Sequence, residues 1–392
     1  MGIYGPPNYS IMKKTLVFSV FILLLAVFTA CQDEEAPVKA FSDKDNQVSF
    51  SLKGEKTITV DDRTDWNLYL PQPFTVDGTN YLLSLDKLNN AINMYDYEAG
   101  QLHKRIAFPF EGENSIPTNI IGYQALSTDS LLIIDKIGRL YFTDFEAQVH
   151  QAVDLDPNGI PGQPFAFPNS SPLQVMDGKV IVENYYLLNE NRQMKVALDL
   201  ADLSLSYQLT IPSEYIEGYW GVGDFKYYNH VYNAKKQQYV YNFPNREALY
   251  VYDKNLSSPT LKPVVSRKVA SPADHILVMG KQPSPELLER GPLRSSIYAR
   301  LLYDPWREVY YRIVGHPIKE SVLEMRDPVR STTRTYSVIV LNEDFEWLGE
   351  FDLPAYEYPI NIEKLFINEK GLHFQKESIN EDLANFDIWN ID

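Results

Sequence analysis

Cysteine is almost absent from the chain: Cys31 is the only one among 392 residues, so no internal disulfide can hold the fold together. Positive charge is also scarce, because 36 basic residues face 52 acidic ones and leave a net charge of −16 at pH 7. Nucleic acid is therefore not an expected partner, since neutralising phosphates requires a basic surface. A globular body is still expected, because 44% of the residues are hydrophobic and a chain of this length can bury a large core.

Motifs for the common catalytic chemistries are missing as well. The six histidines show no His-Glu-x-x-His spacing, and the chain has neither a Gly-x-Ser-x-Gly elbow nor a glycine-rich phosphate loop. We therefore predict no metal and no cofactor. A carboxylate pair of the kind that hydrolyses glycosidic bonds stays open, because its two members can lie far apart in sequence.

The residues before Cys31 have the features of a bacterial lipoprotein signal peptide. Lys13 and Lys14 precede an apolar run over 16–28, and small residues follow directly before the cysteine. The run is too short to cross roughly 30 Å of hydrocarbon, which takes about 20 residues. We predict that residues 1–30 are a cleaved export signal and that the Cys31 thiol is lipidated. An uncleaved membrane anchor and a buried helix are the alternatives.

An acidic tether over residues 31–45 follows the predicted lipid anchor. Its first residues after the cysteine read Gln-Asp-Glu-Glu, which is also what a solvated linker would contain. A short acidic patch behind the cysteine resembles that of Bacteroidota lipoproteins that cross the outer membrane. The resemblance implies an outer-membrane lipoprotein displayed on the cell surface, and a periplasmic orientation is the alternative. Without residues 1–30 the chain has 362 residues and a net charge of −18.

Short strand-like runs recur along the rest of the chain at a period near 50 residues. The four clearest end in Asp96, Asp144, Asp199 and Asp253, with spacings of 48, 55 and 54 residues, and two weaker copies follow. A period near 50 with about four strands per unit is typical of a β-propeller blade. The aspartates most simply cap turns, and calcium binding has less support because none lies in an Asp-x-Asp-x-Asp loop.

The repeat predicts an all-β fold, a six-bladed β-propeller over residues 46–392. The last repeat has only three clear strands, whereas two strand-like runs near the start, 48–52 and 57–60, lack a blade of their own. We predict that an N-terminal strand closes the last blade, because the ring then has no exposed edge. A loop insertion is expected at about 268–297.

The sequence Tyr-Asp-Pro-Trp-Arg-Glu-Val-Tyr-Tyr-Arg over 303–312 resembles a tyrosine- and arginine-rich strand pair of a known family. Together with the lipoprotein start, it is similar to the six-bladed propeller lipoproteins of Bacteroidota in the domain of unknown function 4221 family. The resemblance implies a propeller over most of the mature chain. It implies no activity that could be carried over.

Loop lengths indicate one face as a binding surface. In a propeller, the turns between the first and second strands and between the third and fourth strands of each blade share one face. The remaining connections share the other face, and they include nearly all the long ones, at 109–118, 156–171, 213–224, 268–297 and 315–335. Recognition usually takes place on loops held by a rigid scaffold, so we predict a site on this long-loop face. Accumulation of insertions where strain is least is the alternative.

Arginines give a second indication for the same face. Nine of the 14 arginines fall between Arg267 and Arg334, a segment with a net charge of +4. Those assigned to its long loops are Arg290, Arg294, Arg326, Arg330 and Arg334. Because guanidinium groups bind carboxylates and sulfates through paired hydrogen bonds, we predict an anionic glycan or an acidic protein partner. Pairing of these arginines with acidic residues of the same loops is the alternative.

Aromatic residues on the predicted face could stack on sugar rings, and Tyr219 and Trp220 are the candidates. Packing between blades is the alternative role for each ring. The sequence thus predicts a lipid-anchored extracytoplasmic binding or interaction module. An enzyme acting on extracellular polysaccharide, with its site on the long-loop face, and a structural partner of an outer-membrane complex are the competing functions.

Overall fold

The structure, a computed structural model, describes residues 45–392 apart from several internal segments. The segments left out are 65–66, 156–172, 177, 184–192, 211–217, 220–227, 257, 271, 273–276, 279–292, 320–321, 323–332, 360–363 and 378–379. The predicted signal peptide, Cys31 and nearly all of the acidic tether lie outside the described residues, as does much of the insertion at 268–297. Within the described part, no helix is long and apolar enough to cross a membrane.

The described chain consists mainly of short β-strands. In chain order they are β1 (Phe50–Thr59), β2 (Tyr69–Val76), β3 (Thr79–Asp86), β4 (Ala91–Asp96), β5 (Gln101–Ala107), β6 (Ile120–Ser127), β7 (Ser130–Asp135), β8 (Arg139–Thr143), β9 (Val149–Asp154), β10 (Gln174–Met176), β11 (Lys179–Glu183), β12 (Gln193–Asp199), β13 (Leu205–Thr210), β14 (Gly218–Tyr219), β15 (Asn229–Asn233), β16 (Gln238–Asn242), β17 (Ala248–Asp253), β18 (Thr260–Pro263), β19 (Leu277–Val278), β20 (Ile297–Asp304), β21 (Val309–Gly315), β22 (Thr333–Arg334), β23 (Tyr336–Asn342), β24 (Trp347–Asp352), β25 (Tyr358–Pro359), β26 (Leu365–Asn368), β27 (Gly371–Gln375) and β28 (Leu383–Ile391). Tyrosine, valine, leucine and isoleucine dominate them, because aromatic and β-branched side chains fit a pleated, half-buried surface.

Most of these strands form six four-stranded antiparallel sheets, which we call blades 1 to 6. Blade 1 contains β2–β5, blade 2 β6–β9, blade 3 β10–β13, blade 4 β15–β18, blade 5 β20, β21, β23 and β24, and blade 6 β26, β27, β28 and β1. Two two-stranded sheets, β14 with β19 and β22 with β25, lie in the connections. The fold is a six-bladed β-propeller, and the predicted fold class is confirmed.

The N-terminal strand β1 is the outer strand of blade 6. It runs antiparallel to β28, from the pair Phe50 and Ile391 to the pair Thr59 and Leu383. The Phe50 ring stacks on the Trp389 ring with 5.3 Å between their centroids. One sheet therefore contains the first and the last strand of the described chain.

The apolar core lies in layers between neighbouring blades. Leu83 and Ile133 belong to the layer between blades 1 and 2, and equivalent layers join blades 2 and 3, 4 and 5, 5 and 6, and 6 and 1. Blades 3 and 4 also meet through a buried cation, because the Lys195 ammonium lies 4.3 Å from the centre of the Tyr239 ring. Each sheet buries its faces against its neighbours, which makes the whole ring the stable unit.

The repeated aspartates cap turns between strands. Asp96, Asp144, Asp199 and Asp253 each accept a hydrogen bond from a backbone N–H two or three residues further along, at 2.8 to 3.1 Å. In blade 5, Asn342 accepts the corresponding bond. The turn-capping prediction is confirmed at these four aspartates. The oxygen of a short side chain reaches the backbone N–H groups that a turn leaves without a backbone acceptor.

The strand order divides the loops between two faces. On one face, the turn face, short turns join the first strand of each blade to the second and the third to the fourth, such as 234–237 and 305–308. On the other, the connector face, lie the turns that join the second strand to the third, such as 87–90, and the links from one blade to the next, such as 108–119. The connector face is the long-loop face of the sequence prediction.

Candidate functional site

A cavity of about 520 Å³ lies at the centre of the propeller. Its wall includes residues from β2, β6, β10, β15, β20 and β26, which are the first and innermost strands of the six blades. Because every blade contributes to one wall, only the closed ring can build this space. The volume falls in the range of sites for small organic ligands.

Aromatic and aliphatic side chains form most of the wall. The aromatic members are Tyr123, Tyr232, Tyr303, Trp306 and Phe366. Leucine, isoleucine, valine and proline residues lie between them. Such a wall favours a ligand with a flat apolar body, because its rings can stack on the aromatic side chains and its apolar surface leaves water when it binds.

The inner strand of blade 1 departs from regular geometry where it lines the cavity. Its pairing with β3 shifts between Tyr69 and Gln72, so that Leu70 and Pro71 form a bulge. Leu70 has a φ of 50°, which costs a residue with a Cβ about 1 kcal/mol. The Tyr123 hydroxyl donates to the Leu70 carbonyl oxygen at 2.7 Å and supports the bulge. Burial raises the pKa of Tyr123, so the hydroxyl stays a donor.

A second bulge, in β20, places Arg300 in the wall. The pairing of β20 with β21 shifts between Tyr298 and Arg300. Tyr298 and Leu301 pack in the layer between blades 4 and 5, whereas Ala299 and Leu302 pack in the layer between blades 5 and 6. Ala299 is the extra residue of the bulge, because Tyr298 pairs with Val314 and Arg300 with Ile313, and Arg300, directly after it, lines the cavity. A bulge redirects a side chain in this way.

Asn229 fixes the backbone next to Arg300. Its side-chain nitrogen donates to the Leu301 carbonyl oxygen at 2.8 Å, and its oxygen accepts from the Leu301 N–H at 3.2 Å. Asn242 donates to the same Asn229 oxygen at 3.1 Å. These amides are buried, so their hydrogen bonds are costly to break and hold the bulged strand in one position.

The remaining polar groups of the wall are uncharged side chains and one histidine. His230 is 2% exposed, and its ring stacks on Tyr241 at a centroid distance of 5.2 Å. The Gln72 side-chain oxygen accepts from the Ala125 N–H at 3.2 Å and so links blades 1 and 2. Among the lining residues that the structure describes, Arg300 is the only one with a permanent charge.

The cavity extends to the turn face between blades 4 and 5. Ala234, Pro305 and Trp306 line it there, and all three belong to first turns of their blades. Trp306 is 54% exposed. Its backbone N–H donates to the Asp304 carboxylate at 2.9 Å, which holds the turn. An exposed tryptophan thus stands beside the cavity, in the 303–312 motif that carries the family resemblance.

Ion pairs hold the turns around Trp306 in place. Lys235 lies 2.5 Å from a Glu308 carboxylate oxygen and 2.9 Å from one of Glu343. The Tyr303 hydroxyl donates to Glu343 at 2.8 Å. The hydrogen bond from Lys235 is the main cause that lowers the pKa of Glu343. Exposed pairs contribute little to stability, so their effect here is to orient the turns.

Most of the predicted site residues lie outside the described residues. These are Cys31, Trp220, Arg290, Arg326 and Arg330. Tyr219 is described only as part of β14, which pairs with β19, and Arg294 is exposed in the turn before β20. The surface that these residues were predicted to form on the connector face stays a prediction.

Arg334 lies in the connection at 315–335, as predicted, but it is buried there, so the prediction that it offers an exposed guanidinium to an anion is wrong. It is 1% exposed within β22. Its Nε donates to the His316 carbonyl oxygen at 2.6 Å, and its Nη2 donates to the carbonyl oxygen of Ser295. The guanidinium therefore links two connections of blade 5. Nothing in the local sequence distinguishes this role from an exposed one, because the carbonyls come from distant segments.

Among its candidate site residues, the sequence prediction named none of the residues that line the central cavity. Two signals were available. Pro71 and Pro73 lie in one strand, and proline is tolerated only at the edge of a sheet because it has no N–H to donate, and Arg300 lies within an apolar strand. Neither signal shows that the inner strands of six blades line one cavity. Among the described residues, no three histidine, cysteine, aspartate or glutamate side chains gather to form a metal site.

The ring of six blades and the wall of inner strands define the class of protein: a six-bladed β-propeller with a ligand-sized central cavity. A family model described as Domain of unknown function (DUF4221) matches residues 47–352. The chain belongs to this family.

Two solved structures show the same fold. A DUF4221 family member from Bacteroides vulgatus superposes with a TM-score of 0.72 at 21% identity, covering 89% of this chain and 99% of that one. A presumed exported protein from Bacteroides fragilis superposes with a TM-score of 0.52 at 11% identity, covering 90% and 97%. A comparison with curated proteins gives no match. At these identities the likeness shows the fold alone.

Proposed function

We propose that the protein is a lipid-anchored extracytoplasmic binding module that holds a small ligand in its central cavity. One observation carries the proposal: the inner strands of all six blades line a single space of about 520 Å³. Sites of this kind bury most of a small ligand against apolar walls and orient it with a few polar groups.

The location rests on the start of the sequence and on one structural neighbour. The predicted signal peptide, the lipidation of Cys31 and the acidic tether support an outer-membrane lipoprotein on the cell surface. The similarity to the Bacteroides fragilis structure, whose name describes an exported protein, supports an extracytoplasmic location. Membrane contact through the lipid is part of the proposal.

Binding fits the cavity better than hydrolysis does. A glycosidase needs two carboxyl groups facing the scissile bond. None of the described lining residues is an aspartate or a glutamate, and the wall is mostly apolar. A polysaccharide would also leave many hydroxyl groups without partners against such a wall. The anionic glycan or protein partner predicted for the connector face would be a separate ligand.

The test is to block the cavity without disturbing the core. Ala234 is exposed in a turn at the edge of the cavity, so Ala234→Trp should fill the opening. Ala99→Trp is the matched control, because Ala99 is exposed in the last turn of blade 1 and does not line the cavity. Both variants are made in the full chain and screened against a library of small organic molecules by thermal unfolding.

We expect some library members to raise the unfolding temperature of the wild type and of Ala99→Trp. Ala234→Trp should lose those shifts, because the ligand can no longer enter. If every ligand that stabilises the wild type also stabilises Ala234→Trp to the same extent, the central cavity is not the binding site. A library that leaves the wild type unshifted throughout would count against the proposal in the same way.

A further inference from the structure

We infer that the cavity selects a flat, uncharged ring system that carries a hydrogen-bond acceptor, and that the Gln72 side-chain amide donates to this acceptor. The inference rests on the proposed function and names the ligand class of the same site. It combines the orientation of one amide, the exposed ring of Trp306 and the low polarity of the wall.

The Gln72 amide has a fixed orientation. Its oxygen accepts from the Ala125 N–H at 3.2 Å, and only the oxygen end of an amide can accept that bond. The other end is therefore the nitrogen, which has two N–H groups to donate. In the described part of the chain this nitrogen has no acceptor. Because Gln72 lines the cavity, we expect a bound ligand to supply the acceptor.

The backbone around Gln72 is ordered before a ligand arrives. Pro71 and Pro73 lie on either side of it, and the proline ring restricts the φ angle of each. The Tyr123 hydroxyl holds the Leu70 carbonyl oxygen at 2.7 Å, and regular pairing of β2 with β3 resumes at Gln72. A donor that is ordered in advance loses less entropy when it binds.

The ring system follows from the aromatic members of the wall. Trp306 lines the cavity with 54% of its surface exposed, so its ring is open to a ligand. Phe366 contributes a ring from blade 6 and Tyr123 one from blade 2. Rings distributed around the cavity favour a flat ligand that can stack, since stacked pairs gain more than the burial of their area alone.

Two observations argue against a charge on the ligand. A cation would need a carboxylate beside it, and none of the described lining residues is an aspartate or a glutamate. Arg300 is the permanently charged residue of the described wall, but it already has an interaction partner within the protein and so does not call for an anion. A charged group without a partner loses its hydration in such a wall at a high cost.

Three probes of similar size separate the ring, the acceptor and the charge. Naphthalene has the ring system alone, quinoline adds an uncharged acceptor nitrogen, and 2-naphthoate adds a negative charge. The full chain in lipid nanodiscs is dialysed to equilibrium against empty nanodiscs at about pH 8, so that each probe enters the lipid equally on both sides. We expect quinoline to bind roughly three- to tenfold more tightly than naphthalene, the range for one hydrogen bond. 2-Naphthoate should bind more weakly than quinoline.

The variants assign the donor to Gln72. Gln72→Glu keeps an oxygen for the Ala125 N–H but, ionised at about pH 8, has no proton to donate, so it should bind quinoline no better than naphthalene. Gln151→Glu is the matched control and should keep the preference, because Gln151 is exposed on β9 and does not line the cavity. Trp306→Ala should weaken both neutral probes, since it removes a ring and leaves the amide.

Equal affinity of quinoline and naphthalene for the wild type would overturn the acceptor, whether or not Gln72→Glu folds. Tighter binding of 2-naphthoate than of quinoline would overturn the absence of charge, and failure of all three probes to bind would overturn the ring system. A preference for quinoline that Gln72→Glu retains would overturn the role of Gln72. In each case the cavity could still bind other molecules, and the block by Ala234→Trp decides that point separately.

Discussion

Arg312 is expected to be the most costly single residue to replace in the interface between blades 4 and 5. It is fully buried, and its guanidinium lies 3.5 Å from the centre of the Tyr298 ring. It donates to the Asn242 side-chain oxygen at 2.9 Å and to three carbonyl oxygens of the neighbouring blade, at Arg246, Glu247 and Val264. Arg312→Met keeps an unbranched apolar side chain and removes every donor.

The loss can be worked from these contacts. Four acceptors lose the Arg312 donor, but the Glu247 carbonyl oxygen still accepts from the Val264 N–H at 2.8 Å. Each of the other three acceptors loses a hydrogen bond at a cost of at least about 1 kcal/mol. The free energy of unfolding should therefore fall by about 3 kcal/mol, before the contact with Tyr298 is counted. Typical domains are stable by about 5–15 kcal/mol, so this loss is a large part of the total.

The assay is unfolding of the full chain in guanidinium chloride at 25 °C, followed by tryptophan fluorescence. Arg312→Lys should retain part of the stability, because it keeps one donor group and the charge. Arg63→Met, at an exposed arginine, should change the free energy of unfolding by less than about 0.5 kcal/mol. A loss below about 1 kcal/mol for Arg312→Met would refute the reasoning.

Three further predictions address acid stability, the position of β1 and the edge of the cavity. Burial lowers the pKa of His316 and of His373 to about 4, so the chain should lose up to about 3 kcal/mol per histidine as the pH falls from about 6.5 to 4. His373→Gln should flatten that dependence in denaturation curves measured between pH 7 and 4, and an unchanged slope would contradict it. Gly100 and Gly78 both have positive φ, but a Cβ on Gly100 would lie 2.5 Å from a backbone oxygen of β1, whereas one on Gly78 meets nothing. Gly100→Ala should thus cost at least about 1 kcal/mol more than Gly78→Ala, and equal costs would argue against the placement of β1. Trp306→Ala should leave the free energy of unfolding within about 0.5 kcal/mol while it weakens ligand binding, and a large loss of stability would show that the ring is structural.

The blades could be predicted from sequence because their signal is local. Asp96, Asp144, Asp199 and Asp253 mark the repeat, since each turn needs a side-chain oxygen close to the N–H groups that it leaves free. The pairing of β1 with β28 supports the predicted closure of the last blade by an N-terminal strand. Closure of the ring by this strand remains a prediction, and Gly100→Ala bears on it.

The site could not be predicted in the same way, because its determinants are not local. The direction of Arg300 depends on a bulge next to Leu301, and Leu301 is held by Asn229 of another blade, 72 residues before it in the chain. Arg334 looks like a loop arginine in sequence, yet it is buried against carbonyls from other segments. Composition shows that arginines are concentrated in one segment, but only tertiary contacts separate the arginine that lines a cavity from those that hold connections together.

The most direct test of the central claim is a crystal structure of the chain grown with a small organic molecule that raises the unfolding temperature of the wild type but not of Ala234→Trp. The account predicts this molecule within the central cavity, between the inner strands of the six blades. A probe bound only on the outer surface, with the cavity holding water, would contradict it.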